Sequence, residues 1–276
     1  MEFETLLYEK EDRVAVITLN RPRRHNAFTT TMAVELGQAW EAVKSDPEIT
    51  CAILTGAGEK ALCTGVDVTA VAEEGGFERS ASADEEPREP PFLKMTAIQN
   101  KCWKPVITAV NGMVCGGGLH FIADSDIIVC ADNATFFDTH VRIGVISGLE
   151  PVGLARRIPL EAVMRLALLG GSERMNATEA LRVGLVGEVV SQAELMPRAR
   201  ALAKMISAHS PTALARSKQA IWQSLEVGLE QALDETWKMI REHTRHPDHV
   251  EGPRAAMEKR APRWAPYTGS SGSSDS

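Results

Sequence analysis

The chain has 276 residues, a formal net charge of −7 at pH 7 and 44% hydrophobic residues. This length allows one large domain, or a core with a helical appendage, and the composition is typical of a globular protein. The net negative charge argues against a nucleic-acid-binding surface. The sequence shows no signal peptide and no apolar run long enough to span a membrane, so we expect a cytoplasmic protein.

Strands and helices alternate in the first half of the chain. Apolar runs predict strands at residues 14–19, 51–55, 106–110 and 127–130, and apolar residues at helical spacing predict a helix at 29–44. Strands separated by helices indicate βαβ units and a mostly parallel sheet. We therefore expect an α/β core.

The second half is predominantly helical from about residue 161. Helical spacing covers residues 163–169, 193–208, 212–225 and 229–243, and strand character is confined to 185–190. These patterns predict an α/β core at 1–190, a helical C-terminal region at 191–266 and a disordered Gly/Ser tail at 267–276. Residues 73–91, rich in Gly, Ser, Pro and acids, predict a flexible loop of the kind that often lines a ligand site.

We expect neither disulfide bonds nor a metal ion. The five cysteines form no Cys-x-x-Cys pair and most lie in or beside apolar runs, which is typical of buried thiols in a reducing compartment. His243, His246 and His249 show no zinc-ligand spacing, and we place them at a helix end near Pro247.

Three consecutive glycines, Gly116 to Gly118, stand between the apolar strand at 106–110 and the helical segment at 119–123. Glycine lets a ligand approach the backbone, and the first N–H groups of a helix have no partner within the helix. Such a turn can hold an anion or a developing oxyanion. The alternative is that the glycines only permit close packing of helix and sheet.

A second turn, at Gly65, also follows a strand, and Asp67 suits the first turn of a helix there. Two N–H donors that converge on one carbonyl oxygen form an oxyanion hole. The nearby Gly-x-Gly-x-x-Ala pattern at 56–61 matches a dinucleotide turn only weakly, because Gly65 interrupts the helix that should follow it.

Three blocks resemble the signature blocks of the crotonase (enoyl-CoA hydratase/isomerase) superfamily. They are Asn-Arg-Pro-Arg-Arg-His-Asn-Ala-Phe at 20–28, Ala-Leu-Cys-Thr-Gly-Val-Asp-Val at 61–68 and Asn-Gly-Met-Val-Cys-Gly-Gly-Gly-Leu at 111–119. Further matches extend the resemblance over residues 8–264. It implies a crotonase-like (ClpP/crotonase) spiral of ββα units with a helical C-terminal trimerisation region, assembled as a homotrimer or a dimer of trimers.

The resemblance also implies an acyl-CoA thioester substrate, with coenzyme A as part of the substrate and no permanently bound cofactor. The thioester oxygen would accept hydrogen bonds from the N–H groups of Val66 and Gly117, as in enzymes of fatty acid metabolism. The superfamily's contacts with substrate map onto Arg24, Ala27, Ala61, Cys63, Asp67, Val68, Gly116 and Lys259.

The chain departs from the superfamily pattern at two positions. Authentic hydratases carry two glutamates that flank the reacting water, and the matching residues here are His120 and His140. Histidine titrates near neutral pH, so one ring can act as base and the other as acid. A histidine pair offers less negative charge to polarise water than two carboxylates do. The alternative is that both histidines are spectators.

Two acids are candidates to assist these histidines. Glu150 could orient His140 or act as an acid itself. Asp138 lies two residues before His140 and would share a face with it if the strand continued.

Three functions remain open. The first is an enoyl-CoA hydratase/isomerase-like enzyme, a lyase or isomerase working through a thioester enolate, and the intact CoA-binding blocks favour it. The second is a hydrolase that cleaves a C–C bond by retro-Claisen attack of water, using His140 and Glu150. The third is a non-catalytic CoA-ester-binding protein.

Overall fold

The computed structural model describes residues 2–73 and 94–267. Nearly all of the predicted loop at 73–91 and of the predicted tail at 267–276 therefore lies outside the described residues. The strands are β1 (Leu6–Glu11), β2 (Val14–Leu19), β3 (Cys51–Gly56), β4 (Ala61–Cys63), β5 (Val106–Val110), β6 (Met113–Cys115), β7 (Ile127–Ala131), β8 (Thr135–Phe137), β9 (Met175–Asn176) and β10 (Glu188–Val190).

The helices alternate with these strands and then continue alone to the end of the described chain. They are α1 (Thr30–Ser45), α2 (Val68–Glu73), α3 (His120–Ala123), α4 (Leu149–Leu154), α5 (Leu160–Leu168), α6 (Ala177–Arg182), α7 (Leu195–Ser207), α8 (Pro211–Gln223), α9 (Leu229–His243) and α10 (Pro247–Met257). Among the residues described, no helix is long and apolar enough to cross a membrane.

The larger sheet has six strands in the order β1-β2-β3-β5-β7-β10. Only the β1–β2 pair is antiparallel; the other neighbours pair in parallel. Every residue of β3 and β5 is buried, as is typical of parallel strands that are covered on both faces. The four strands predicted from apolar runs are confirmed to within one residue.

The smaller sheet has four strands in the order β4-β6-β8-β9. None of its strands exceeds three residues, so none shows a periodicity from which it could be predicted. Each of β4, β6 and β8 follows a long strand of the larger sheet by a few residues, and a helical turn comes next. The chain thus repeats a ββα unit, and the smaller sheet delivers the two glycine turns to one place.

Helix α7 packs on one face of the larger sheet. Its buried side chains Leu195, Ala199 and Ala203 contact a cluster that includes Val16 and Ile53. Helix α7, the first helix beyond residue 190, thus packs on the sheet of the predicted core. The domain boundary at residue 190 remains a prediction.

The helical prediction for the C-terminal part is confirmed, with one omission. A helix does end near Pro247, since α9 ends at His243, but Pro247 also begins a further helix, α10, that was not predicted. His246 is the N-cap of α10, accepting a hydrogen bond from the Asp248 N–H at Nδ1. The ring of proline fixes the backbone angle that a first helical turn needs and removes an N–H that has no partner there.

Lys104 provides a test of how the end of α1 is stabilised. It is buried, and its Nζ donates to the carbonyl oxygens of Val43 at 2.7 Å and Asp46 at 2.6 Å. We expect Lys104→Met to lower the free energy of unfolding by about 1–3 kcal/mol, because these carbonyls lose their donor. Urea denaturation measures the change. Lys204→Met, an exposed lysine on α7, is the control and should stay within about 0.5 kcal/mol of wild type. If Lys104→Met were as stable as Lys204→Met, the proposed role of Lys104 in stabilising the end of α1 would be wrong.

Candidate active site

The two glycine turns touch each other. Gly65 has φ +87° and Gly116 has φ +51°, in the left-handed region that favours glycine. A Cβ atom on Gly65 would lie 3.1 Å from the Gly117 nitrogen, and one on Gly118 would lie 2.3 Å from the Cys63 carbonyl oxygen. The glycines therefore serve close packing, and the same packing brings the two backbone segments together.

The N–H groups of Val66 and Gly117 lie in these adjoining turns. Val66 forms an isolated parallel bridge with Phe28, in which the Phe28 N–H donates to Gly65 O at 2.8 Å and the Asp67 N–H donates to Phe28 O at 2.9 Å. The N–H of the central residue in such a bridge points away from the partner strand. Gly117 lies in the first turn of a helical segment, where N–H groups have no partner within the helix.

His120 begins α3 and is almost fully buried. Its Nε2 lies 3.4 Å from Oε1 of Glu150, a buried residue of α4. The same oxygen would be 3.6 Å from a Cβ atom on Gly117. Glu150 was predicted either to orient His140 or to act as an acid itself; the structure places its carboxylate beside His120 and the glycine turn.

His140 is held by Asp138. Its Nδ1 lies 2.8 Å from Oδ1 of Asp138, and its backbone N–H donates to the same oxygen at 2.7 Å. Oδ2 of Asp138 accepts from the hydroxyl of Ser147 at 2.7 Å. A shared strand face required the strand to continue through Asp138. Since β8 ends at Phe137, the two side chains meet through a local turn.

Charge and hydrogen bonding set the protonation of this pair. Burial alone would raise the pKa of Asp138, but its hydrogen bonds with His140 and Ser147 hold that pKa below its ordinary value. The hydrogen bond to Asp138 raises the pKa of His140 above its ordinary value, despite burial, and the charge of Glu150 acts in the same direction. The pair therefore consists of an ionised carboxylate and an imidazole that is more basic than usual.

The predicted substrate-binding segments lie side by side, because the Phe28–Val66 bridge joins them. Arg24 is exposed, as is Val68 at the start of α2, whereas Ala27 and Ala61 are buried. Lys259 is exposed beyond α10, and its described hydrogen bond is local, from its backbone N–H to Ala256 O at 3.3 Å. The structure does not bring Lys259 to the other predicted residues through any described contact.

Asp67 and Cys63 have internal contacts. The Asp67 carboxylate accepts from the Ala70 N–H at 3.3 Å and from Arg21 at 2.8 Å, so it caps α2 and ties it to the segment that holds Arg24. Burial raises the pKa of the Cys63 thiol to about 12, which makes it a poor nucleophile.

Sequence reasoning missed Arg21 and Ser147 as partners of site residues. Arg21 stands in the first signature block, but 46 residues separate it from Asp67. Ser147 is a small polar residue in an apolar stretch and carries no signal of its own. In residues 2–73 and 94–267, no group of three or more His, Cys, Asp or Glu side chains could hold a metal ion.

Comparisons with known proteins point to one family. The family described as Enoyl-CoA hydratase/isomerase matches residues 9–266. The chain is 35% identical to (E)-benzylidenesuccinyl-CoA hydratase of Thauera aromatica, over 93% of this chain and 97% of that protein. It is 37% identical to carnitinyl-CoA dehydratase of Escherichia coli K12, over 95% and 98%. A crystal structure of an enoyl-CoA hydratase/isomerase from Mycobacterium paratuberculosis superposes with a TM-score of 0.86 at 36% identity, covering 95% of this chain and 99% of that one.

The contact at Gly118 can be tested directly. We expect Gly118→Ala to lower the free energy of unfolding by about 1–3 kcal/mol, because the new methyl group would overlap the Cys63 carbonyl. Gly37→Ala in α1 is the control: its Cβ would have only ordinary contacts, the nearest at 3.7 Å, and alanine favours a helix, so stability should hold or rise. Thermal or urea unfolding measures both, and an unchanged Gly118→Ala protein would contradict the close approach.

Proposed function

The chain belongs to the enoyl-CoA hydratase/isomerase family, the crotonase superfamily, and on that premise we propose that it adds water to an enoyl-CoA thioester, or removes it, using His120 and His140 for proton transfer. The family's enzymes act on acyl-CoA thioesters. One observation carries the proposal: each histidine is paired with a carboxylate, and both pairs lie against the turn formed by Gly116 and Gly117.

In the direction of hydration, the oxygen of water bonds to the β-carbon and its proton passes to Nε2 of His140. The electron pair of the double bond moves toward the thioester, whose oxygen becomes an enolate oxygen. The N–H groups of Val66 and Gly117 stabilise that oxygen, and donors of this kind are each worth about a hundred- to a thousandfold in rate. Protonated His120 then donates a proton to the α-carbon, and exchange with solvent restores both rings.

Coenzyme A would lie along the joined segments at residues 24–28 and 61–68. Arg24 is exposed there and supplies the positive charge that the acidic chain otherwise lacks. We propose the same role for Lys259 toward the CoA phosphates. We also propose that the substrate contacts Ala27, Ala61, Cys63, Asp67, Val68 and Gly116.

Retro-Claisen hydrolysis is a second candidate, and the Asp138–His140 pair favours it. A histidine with a fixed carboxylate partner can take a proton from water. The water oxygen would add to the β-carbonyl carbon of a β-keto thioester or β-diketone, and the Cα–Cβ bond would break. Its electron pair would form an enolate in the backbone hole, and the α-carbon would then take up the proton. In this version Asp138, in place of Glu150, assists His140.

The test is turnover of crotonyl-CoA, carnitinyl-CoA, benzylidenesuccinyl-CoA and acetoacetyl-CoA by wild type, His120→Ala and His140→Ala. We expect hydration or dehydration by wild type, and a fall in kcat of about a hundred- to ten-thousandfold in each variant, because a proton-transfer group is lost. His209→Ala, an exposed histidine, is the matched control and should keep wild-type activity. Loss of enoyl-thioester absorbance and chromatography of the products report the reaction.

Other results would replace the proposal. Cleavage of acetoacetyl-CoA without hydration of any enoyl-CoA would establish the second candidate. Binding of the esters without turnover of any would indicate a non-catalytic CoA-ester-binding protein. Full activity in both histidine variants would show that neither histidine takes part in the reaction.

We further propose assembly as a homotrimer or a dimer of trimers through α9. Leu229, Leu233, Trp237 and Ile240 recur at helical spacing along this helix, and each is at least 50% exposed. An apolar stripe of this kind is typical of a surface that another subunit covers.

Light scattering coupled to size exclusion tests the assembly. We expect wild type to have three or six times the mass of one chain, and Leu233→Glu to yield smaller species, because a charge would have to be buried in the interface. Lys238→Glu, an exposed neighbour outside the stripe, is the control and should leave the mass unchanged. A monomeric wild type would contradict the proposal.

A further inference from the structure

The two histidines are held in different ways. His120 has a 3.4 Å contact with Glu150, whereas His140 has a 2.8 Å hydrogen bond to a fully buried carboxylate. That carboxylate, of Asp138, receives three described hydrogen bonds, from the His140 backbone, the His140 ring and Ser147. Such a group has little freedom to move, so its orientation is determined before any substrate binds.

The bond fixes which ring nitrogen of His140 carries the proton. An ionised carboxylate only accepts hydrogen bonds, so Nδ1 of His140 must be the donor. In neutral His140 the other nitrogen, Nε2, then has a free lone pair. The ring lies against the glycine turn, with Cε1 3.4 Å and Nε2 3.8 Å from the position of a Cβ atom on Gly116.

We propose that Asp138, itself held by Ser147, is the positioning residue that keeps His140 in its Nδ1–H form and makes Nε2 the atom that exchanges a proton with the substrate. This inference rests on the proposed function for the identity of the substrate, but the geometry of the three side chains is independent of it. Asp138 acts through His140 and touches no reacting atom.

Two negative charges act on His140. One is Asp138, in the loop after β8, and the other is Glu150, on α4. The Cys115 thiol at the end of β6 remains uncharged, because burial raises its pKa. The nearby Arg174 guanidinium lies over the Phe137 ring. Loss of the Asp138 charge should therefore lower the pKa of His140, while Glu150 remains.

The sign of the pH effect follows from this. A base works only when unprotonated, so kcat/KM should rise with pH through the pKa of His140, at a midpoint above the ordinary histidine value. In Asp138→Asn the midpoint should move to lower pH, and kcat should fall about a hundred- to ten-thousandfold because the wrong tautomer becomes available. In Ser147→Ala the Asp138 carboxylate loses one hydrogen-bond donor and attracts the His140 proton more strongly. The midpoint for His140 should therefore move to higher pH, and kcat should fall tenfold or less.

The experiment combines these pH profiles with nitrogen NMR of histidine-labelled protein, in which the His140 signals are identified by their absence in His140→Gln. We expect wild type above its midpoint to show protonated Nδ1 and unprotonated Nε2. Asp138→Asn should lose this preference. Asp132→Asn, an exposed carboxylate just after β7, is the control and should change neither the tautomer nor the midpoint.

The results separate this inference from the proposed function. An Nε2–H tautomer in wild type, or an unchanged tautomer in Asp138→Asn, would overturn the role of Asp138 whatever the activity. The expected tautomer in a protein that turns over no acyl-CoA would uphold Asp138 and overturn the proposed function. If Asp138→Asn does not fold, the opposite shift of the NMR midpoint in Ser147→Ala decides, and no shift there would overturn the inference.

Discussion

The contact between Gly118 and the carbonyl oxygen of Cys63 is the constraint on which the site depends. A Cβ atom on residue 118 would lie only 2.3 Å from that oxygen, so only glycine fits. This closeness lets β4 and β6 pair in the smaller sheet and brings Gly65 beside Gly117. His120 follows two residues after Gly118, so the same contact sets the position of the first histidine.

The second histidine depends on a different kind of interaction. His140 lies just after β8, at the N-cap of a single 3-10 turn over Val141–Ile143, and the buried carboxylate of Asp138 holds its ring. Burying Asp138 costs free energy unless its oxygens are hydrogen-bonded, and the three donors that surround it meet this requirement. Packing therefore positions one histidine, and a polar network positions the other.

Much of this fold could be predicted from the sequence because its long elements are strongly patterned. Helix α9 has the predicted bounds, Leu229–His243, since its apolar stripe persists along the whole helix. The strands of the smaller sheet could not be predicted, because two or three residues define no period. Helix α10 was missed because proline can mark either end of a helix, and only its packing shows that Pro247 begins one.

The candidate site was predictable in its backbone and less so in its side-chain pairs. The positions of His120 and His140 follow from their spacing to the signature blocks. The Asp138–His140 contact is local, so a two-residue spacing could indicate it. The partnership of Glu150 with His120 depends on how α4 packs beside α3, which no local pattern encodes. The same holds for Ser147, which lies nine positions after Asp138 in the chain.

These pairs change the expected electrostatics of the site. From sequence, replacing two glutamates by histidines predicts a loss of the negative charge that polarises water. The structure places a carboxylate beside each ring, Asp138 beside His140 and Glu150 beside His120. Negative charge is therefore retained at the site, and both the Glu150 carboxylate and the His140 ring lie next to the glycine turn. Such an arrangement can stabilise a positive charge on His140 during proton transfer, because both carboxylates act on that ring.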